Sequence, residues 1–253
     1  MAQPLSSAAL SGGAAGRRRD RVRAATTEEI KQTARRLLVT EGPGAVSLRA
    51  IAREMGMTAP ALYRYFGSHE DLIGHVVADI FNEIADRIAV AIGTAAAAGG
   101  DIAAKLVAAC QEFRRWSLSH RAEFGLLFGS PLPAVEAVMD REDVIAACAM
   151  KFSGTFFTLF LELWRSNPFP VPGDDELAPG LRAQLARYRD SLGTGLPLGA
   201  VFTFLWCWIR LYGMVSLEVF GHLHFAMDDA SPLFELTLAE LAKLLGLDLP
   251  VQS

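Results

Sequence analysis

Three glycine-marked breaks, at Gly42-Pro43-Gly44, at Gly56 and at Gly67, divide residues 27–73 into short helical pieces, and their order leaves few folds open. Before the first break, Ile30, Ala34, Leu37 and Leu38 recur at helical spacing. Thr26 or Thr27 is placed to cap that helix, and Glu28 and Glu29 in its first turn suit the positive end of the dipole. Ser47 caps a second helix, Leu48 to Met55, with an apolar stripe of Leu48, Ile51, Ala52 and Met55; Gly56 ends it where positive φ is wanted. Thr58 caps a third helix, Ala59 to Phe66, with Pro60 in its first turn and Leu62 and Phe66, four apart, turned to the core. Ser68 and Asp71 form a capping box for a fourth. There Leu72, Val76, Ile80, Ile84 and Ile88 recur every four residues, so the spacing predicts a helix of about 24 residues, or ~36 Å, joining a small head to a larger body.

Two short helices joined by Gly56-Met57-Thr58 and preceded by a third are the layout of a helix-turn-helix, in which the later helix enters the major groove of DNA. With Leu62 and Phe66 assigned to the core, its surface keeps Thr58, Ala59, Pro60, Ala61, Tyr63, Arg64 and Tyr65. Small residues at its amino end let the backbone approach base edges, and Ala or Pro can meet a thymine methyl. Arg64 can reach guanine or phosphate, and the two tyrosine hydroxyls can donate to phosphates. Ser47 and Arg49 face the same groove. The charge agrees in place: residues 1–70 hold eleven Lys and Arg against six Asp and Glu, and residues 71–253 hold thirteen against twenty-two. A basic head on an acidic body suggests a nucleic-acid surface confined to one end. The segment Arg17 to Arg23 reads as a flexible basic arm before the first helix, within reach of phosphates or a minor groove, although such runs are commonly solvated tails. Residues 1–16 read as a disordered tail.

Taken together, Ser47-Leu48-Arg49-Ala50-Ile51-Ala52, Gly56-Met57, Ala61-Leu62-Tyr63-Arg64-Tyr65-Phe66 and Ser68-His69-Glu70-Asp71-Leu72 closely resemble the tetracycline-repressor (TetR) family of bacterial regulators. The resemblance implies an all-α homodimer that binds a palindromic double-stranded operator and releases it when a small molecule enters the larger domain. It divides the chain into a basic arm at 1–23, a helix-turn-helix domain at 24–73, and a helical effector-binding and dimerisation domain at 74–253. His69 stands where the family usually has Lys, which makes a phosphate contact there weaker or pH-dependent. A fainter likeness, Trp208 to Gly221, is to the family's Trp-His-Gly type of C-terminal domain, with Tyr212 in place of the His.

In the body the periodicity stays helical, over 101–120, 121–128, 142–165, 178–192, 197–222 and 231–245, with loops at Ser130-Pro131-Leu132-Pro133 and Asn167 to Asp175. Phe156, Phe160, Trp164, Phe204, Trp208 and Tyr212, with Trp116, Phe124 and Phe128, are candidates for the wall of an apolar effector pocket. Core and dimer interface are the competing uses of the same rings. Glu162 and Arg210 sit in apolar helices, where they pair with each other or a ligand, or lie at the surface. The last two long helices, rich in Leu, fit a four-helix dimer bundle.

Cys110, Cys148 and Cys207, odd in number and far apart, fit neither a disulfide framework nor a zinc site, and suit a reducing cytoplasm. His120, His222 and His224 lack carboxylates or thiols at ligand spacing, so no metal or cofactor is expected. The longest apolar run, Leu196 to Ile209, is fourteen residues and contains Pro197, short of a membrane span. No nucleophile elbow, phosphate-cradling loop, His-Glu-x-x-His helix or Cys-His couple is present, which argues against an enzyme. The reading is therefore a DNA-binding regulator, with a helical small-molecule-binding protein that acts through a protein partner as the alternative.

Overall fold

The computed structural model describes residues 8–129 and 144–247, and among them every regular element is helical. The elements are α1 (Ala8–Glu41), a 3-10 turn (Pro43–Ala45), α2 (Leu48–Glu54), α3 (Ala59–Leu62), α4 (His69–Ala97), α5 (Ile102–Ser119), α6 (Arg121–Phe128), α7 (Val144–Ser166), α8 (Pro179–Ser191), α9 (Leu198–Val219) and α10 (Ser231–Leu244). The Ser130 to Pro133 loop, Glu142 and residues 1–7 of the expected tail lie outside the described residues.

Two compact units emerge, one formed by residues 1–80 with 125–146 and the other by 81–124 with 147–253. In the first, Ile30, Ala34, Leu37 and Leu38 of α1 are buried, as are Leu48, Ile51 and Ala52 of α2, Leu62, Phe66, and Leu72, Val76 and Ile80 of α4. Apolar periodicity therefore fixed which face of each helix turns inward. Lys31 adds a polar tie: its ammonium lies 2.8 Å from Glu28 and 2.5 Å from Asp79 of α4. Partial burial alone would lower the Lys31 pKa, but the bonds to Asp79 and Glu28 outweigh it and the net shift is upward.

The caps explain where these helices begin and stop. Ser47 Oγ accepts the Ala50 N–H at 3.2 Å, and Gly56 adopts φ 65° to close α2. Ser68 Oγ accepts the Asp71 N–H at 3.1 Å while the Asp71 carboxylate accepts the Gly67 N–H at 2.9 Å, so the capping box forms with its return bond one residue earlier than usual. Two expectations fail. Thr26 and Thr27 do not cap α1; their hydroxyls donate back to the Val22 and Arg23 carbonyls, both at 3.0 Å, and the helix continues to Ala8. The arm from Arg17 to Arg23 is accordingly helical. Thr58 makes no side-chain cap bond, and α3 ends at Leu62 instead of Phe66, because the next N–H groups close tighter three-residue bonds, Arg64 to Ala61 and Tyr65 to Leu62.

The second unit is built on aromatic packing. Phe113 of α5 is fully buried, and its ring centroid lies 5.7 Å from Phe152, 6.2 Å from Phe156 and 5.8 Å from Trp208. Arg114 joins three helices: it donates to Glu218 of α9 at 2.7 and 2.5 Å and to the Ser231 hydroxyl at 2.9 Å, and its guanidinium lies 4.8 Å from the Phe234 ring centroid. Ser231 thus accepts from Arg114 and does not serve as the α10 cap; its own N–H donates to Asp229 at 2.9 Å. α9 is long and apolar enough to cross a membrane by length and composition, but Ala200, Val201, Leu211, Met214, Val215 and Val219 bury one face of it in this unit. Gly199 permits the approach at its start, since a Cβ there would come within 2.1 Å of the Pro172 carbonyl oxygen.

Candidate functional site

The first unit presents the residues singled out for DNA as one consecutive exposed stretch. Ser47, Arg49, Thr58, Pro60, Tyr63 and Arg64 are exposed; Ala59, Ala61, Tyr65 and His69 are half-buried. The arrangement follows from the two buried anchors of the segment, Leu62 at 0% and Phe66 at 2% exposure: with these turned inward, the neighbouring positions must turn out. Phe66 is further held by an edge-on contact with His75, 5.4 Å between centroids. The surface combines small side chains, two phenols and a guanidinium on a segment too short to obstruct a groove.

Two side chains have roles that sequence reasoning missed. The His69 imidazole Nε2 lies 2.8 Å from the Val46 carbonyl oxygen and donates to it, bracing the start of α4 against the residue before the Ser47 cap. A lysine in its place would have reached outward instead. Arg23, expected to belong to a loose arm, donates from Nη2 to the Arg64 carbonyl oxygen at 3.0 Å and lies 5.5 Å from the Tyr65 ring centroid.

In the second unit, α5, α7, α9 and α10 enclose a cavity of about 80 Å³ lined by Ala103, Leu106, Val107, Cys110, Phe156, Phe160, Phe204, Cys207, Trp208, Leu211, Leu238, Leu241, Ala242 and Leu245, with Leu247 just beyond α10. Four of the nine aromatic candidates therefore meet there: Phe156, Phe160, Phe204 and Trp208. The other five do not line it. Trp116 is fully buried elsewhere, donating from Nε1 to Glu83 at 3.0 Å and stacking on His120 at 4.8 Å. Phe124 packs near Phe113 and Phe220, Trp164 meets Phe169 edge-on at 5.0 Å, and Tyr212 stacks beside Trp208 at 5.9 Å. Phe128 belongs to the first unit. The rest of the wall comes from small residues and leucines of α5 and α10, which carry no chemical signal in the sequence.

No ionised side chain lines this cavity. Its polarisable groups are two thiols. Burial pushes Cys110 up to about 12, with Cys207 nearby adding to the effect, and burial pushes Cys207 to about 11 against an opposing pull from Arg210. Both stay neutral at ordinary pH. Because unfolded thiols ionise near ~8.5, this protonated burial stabilises the fold fully below that value, and the contribution is lost as pH rises through about 11 to 12. Glu162 and Arg210 do not pair with each other: Glu162 binds Lys105 at 3.0 Å and Arg210 binds Glu240.

On the outer side of the same unit, Trp206, Ile209, Leu217 and Phe220 of α9 are 45, 56, 43 and 42% exposed, and Leu236 and Leu244 of α10 are 56 and 38% exposed. The spacing places the α9 residues on a continuous apolar stripe separate from its buried face.

Residues 24–76 match the model for bacterial regulatory proteins of the tetR family, and residues 106–241 match that for the tetracyclin repressor-like C-terminal domain. HTH-type transcriptional regulator Rv1816 of Mycobacterium tuberculosis (strain ATCC 25618 / H37Rv) is 31% identical over 208 residues, covering 81% of this chain and 85% of its own. Mb1846 of Mycobacterium bovis (strain ATCC BAA-935 / AF2122/97) matches to the same extent. Among solved structures, protein SCO4313 is similar at a TM-score of 0.68 and 30% identity, covering 88% of this chain and 98% of its own. RolR, solved in complex with resorcinol, shares the fold at a TM-score of 0.51 and 15% identity, over 92% of this chain and 100% of its own.

Proposed function

This chain belongs to the tetR family of bacterial regulatory proteins, which are transcriptional regulators and not enzymes, and from that premise we propose that it is a cytoplasmic repressor. In this reading it binds a palindromic operator as a homodimer and releases it when a small, largely apolar effector enters the second unit. The observation that carries the DNA-binding reading is the exposed run from Thr58 to Arg64 set on the buried Leu62 and Phe66. Thr58, Ala59, Pro60 and Ala61 meet base edges, Arg64 reads guanine or phosphate, Tyr63 and Tyr65 hold phosphates, and Ser47 and Arg49 approach from α2. His69, committed to Val46, shapes this surface more than it contacts DNA.

The apolar stripe on α9 and α10 supports the homodimer, since an exposed Trp206, Ile209 and Phe220 are expensive to leave in water and a two-fold axis would cover both copies at once. For the effector, the cavity's neutral wall selects against charge. At about 80 Å³ it is well below the ~300 to 1,000 Å³ of a typical ligand site, so binding must push its walls apart. That displacement is the differential contact that release requires, with a coupling of ~1 to 3 kcal/mol as the usual range. α4 supplies residues to both units and is the natural lever.

The test begins by enriching duplexes from a random-sequence library on the full chain, then titrating the enriched duplex in gel shifts. Arg64→Ala and Tyr63→Phe are expected to weaken binding, by ~1 to 3 kcal/mol where a base contact is lost, with folding unchanged. Equal affinity for both variants would overturn the recognition surface. Failure of the chain to enrich any duplex would favour action through a protein partner.

A further inference from the structure

The amino-terminal stretch of α1 has a charge pattern that works against its own structure. Residues 17–25 are all exposed, so no packed face holds them helical. Within them Arg17, Arg18, Arg19, Arg21 and Arg23 face a single Asp20. Arg17 and Arg21, and again Arg19 and Arg23, stand four apart on one helix face, a like-charge spacing that destabilises a helix. Gly12, Gly13 and Gly16 precede them and add no helix propensity. A solvated helix of this composition is marginal alone in water. Opposite a polyanion the same repulsion disappears, and each arginine gains a partner.

Arg23 fixes where that polyanion would lie. Its guanidinium donates to the Arg64 carbonyl, 41 positions on, and lies beside the Tyr65 ring, so the root of the arginine helix is fastened to the end of the segment that carries Tyr63 and Arg64. At ~1.5 Å per residue, Arg21, Arg19, Arg18 and Arg17 fall within ~9 Å of it along the helix axis, about the spacing of neighbouring phosphates. Arg21 is partly ordered by its Nε donating to the Arg17 carbonyl at 3.3 Å, which leaves its terminal nitrogens outward.

We infer that the exposed arginine helix at residues 17–21 is a second DNA-contacting element, a phosphate clamp continuous with the recognition segment and hinged on Arg23. The inference rests on the reading of residues 47–65 as the DNA surface. Phosphate contacts are indifferent to sequence, so the clamp contributes affinity and salt dependence and leaves base preference to Arg64 and its neighbours.

The experiment compares the unmodified full chain with two fourfold variants, Arg17→Gln, Arg18→Gln, Arg19→Gln, Arg21→Gln and the same four positions changed to Lys, on the duplex enriched by the unmodified chain. The Gln variant is expected to bind at least roughly tenfold more weakly at 0.2 M salt, and its plot of log affinity against log salt to flatten by up to about 3.6 per chain, ~0.9 for each phosphate released. The Lys variant keeps the slope, and both keep the thermal midpoint and the preferred sequence. A Gln variant with unchanged slope and affinity overturns the clamp, as does equal loss in both variants, which would mark the arginines as structural. If Arg64→Ala weakens binding while the Gln variant does not, the clamp alone fails; if the unmodified chain enriches no duplex, the reading beneath it fails.

Discussion

Residues 47–69 hold within 23 consecutive positions the recognition-segment side chains proposed to meet DNA, whereas the cavity wall draws on four helices and a following loop, between Ala103 and Leu247. The first surface is made of groups that point into water, each set in place by a nearby cap or a single buried neighbour. The second is made of groups that point at one another. In the recognition unit a surface side chain can therefore change with little effect on folding. In the body, the residues that shape the cavity are also the residues that hold the fold together, so effector response and stability cannot be varied independently.

The largest effect that separates the two regions is expected at Phe113, which is fully buried and touches Phe124, Phe152, Phe156 and Trp208. Phe113→Ala removes a ring at the junction of α5, α7 and α9, and a loss of ~3 to 5 kcal/mol is expected by urea denaturation. A loss below ~1 kcal/mol would show that the body re-packs freely around a missing ring, and the contrast with the recognition unit would collapse.

A smaller effect belongs to the recognition unit's local wiring. Ser47 Oγ accepts the Ala50 N–H at 3.2 Å, and Ser47→Ala leaves that donor without its partner, costing ~1 kcal/mol of stability. Because α2 then frays at the turn that presents Arg49, affinity for the enriched duplex falls as well. Unchanged stability together with weaker binding would show that Ser47 matters as a DNA contact and not as a cap, sharpening its role.

The same contrast decides what was legible from residues alone. Helix order, the Gly56 turn and the buried stripe of α4 depend on neighbours three or four positions apart, and each followed from the chain directly. Thr26 and Thr27 misled because a threonine that caps a helix and one that bonds back to the carbonyl four residues earlier look alike without its hydroxyl's direction. The shorter α3 and the Arg23 contact to Arg64 depend on how α1 and the recognition segment lie together, which no local pattern encodes. Among the aromatics, Phe156 and Phe160 share a face at helical spacing, as do Phe204 and Trp208, and all four line the cavity. Trp116 and Trp164 have the same composition signal and fill core instead, since a ring's partner is set by the opposing helix. Cys110, Cys207 and the leucines of α10 were invisible as cavity residues for the same reason.

The smallest effect concerns the charge that looked costly in an apolar helix. Arg210 of α9 pairs with Glu240 of α10, and their side chains are 31 and 47% exposed, so water already screens the pair. Exposed pairs contribute ~0 to 1 kcal/mol, fading with salt, and Arg210→Gln should do no more than that in dilute protein. Arg210 nevertheless follows Ile209 on the helix that carries the exposed apolar stripe. If a second copy covers that stripe, the pair becomes desolvated in the dimer, and removing one partner then costs ~3 to 5 kcal/mol. Denaturation of Arg210→Gln across a range of protein concentrations separates the two. A small, salt-sensitive loss at every concentration leaves Arg210 at the rim, whereas a loss that grows as the protein is concentrated places it inside the interface and makes the body's outer surface as dependent on packing as its core.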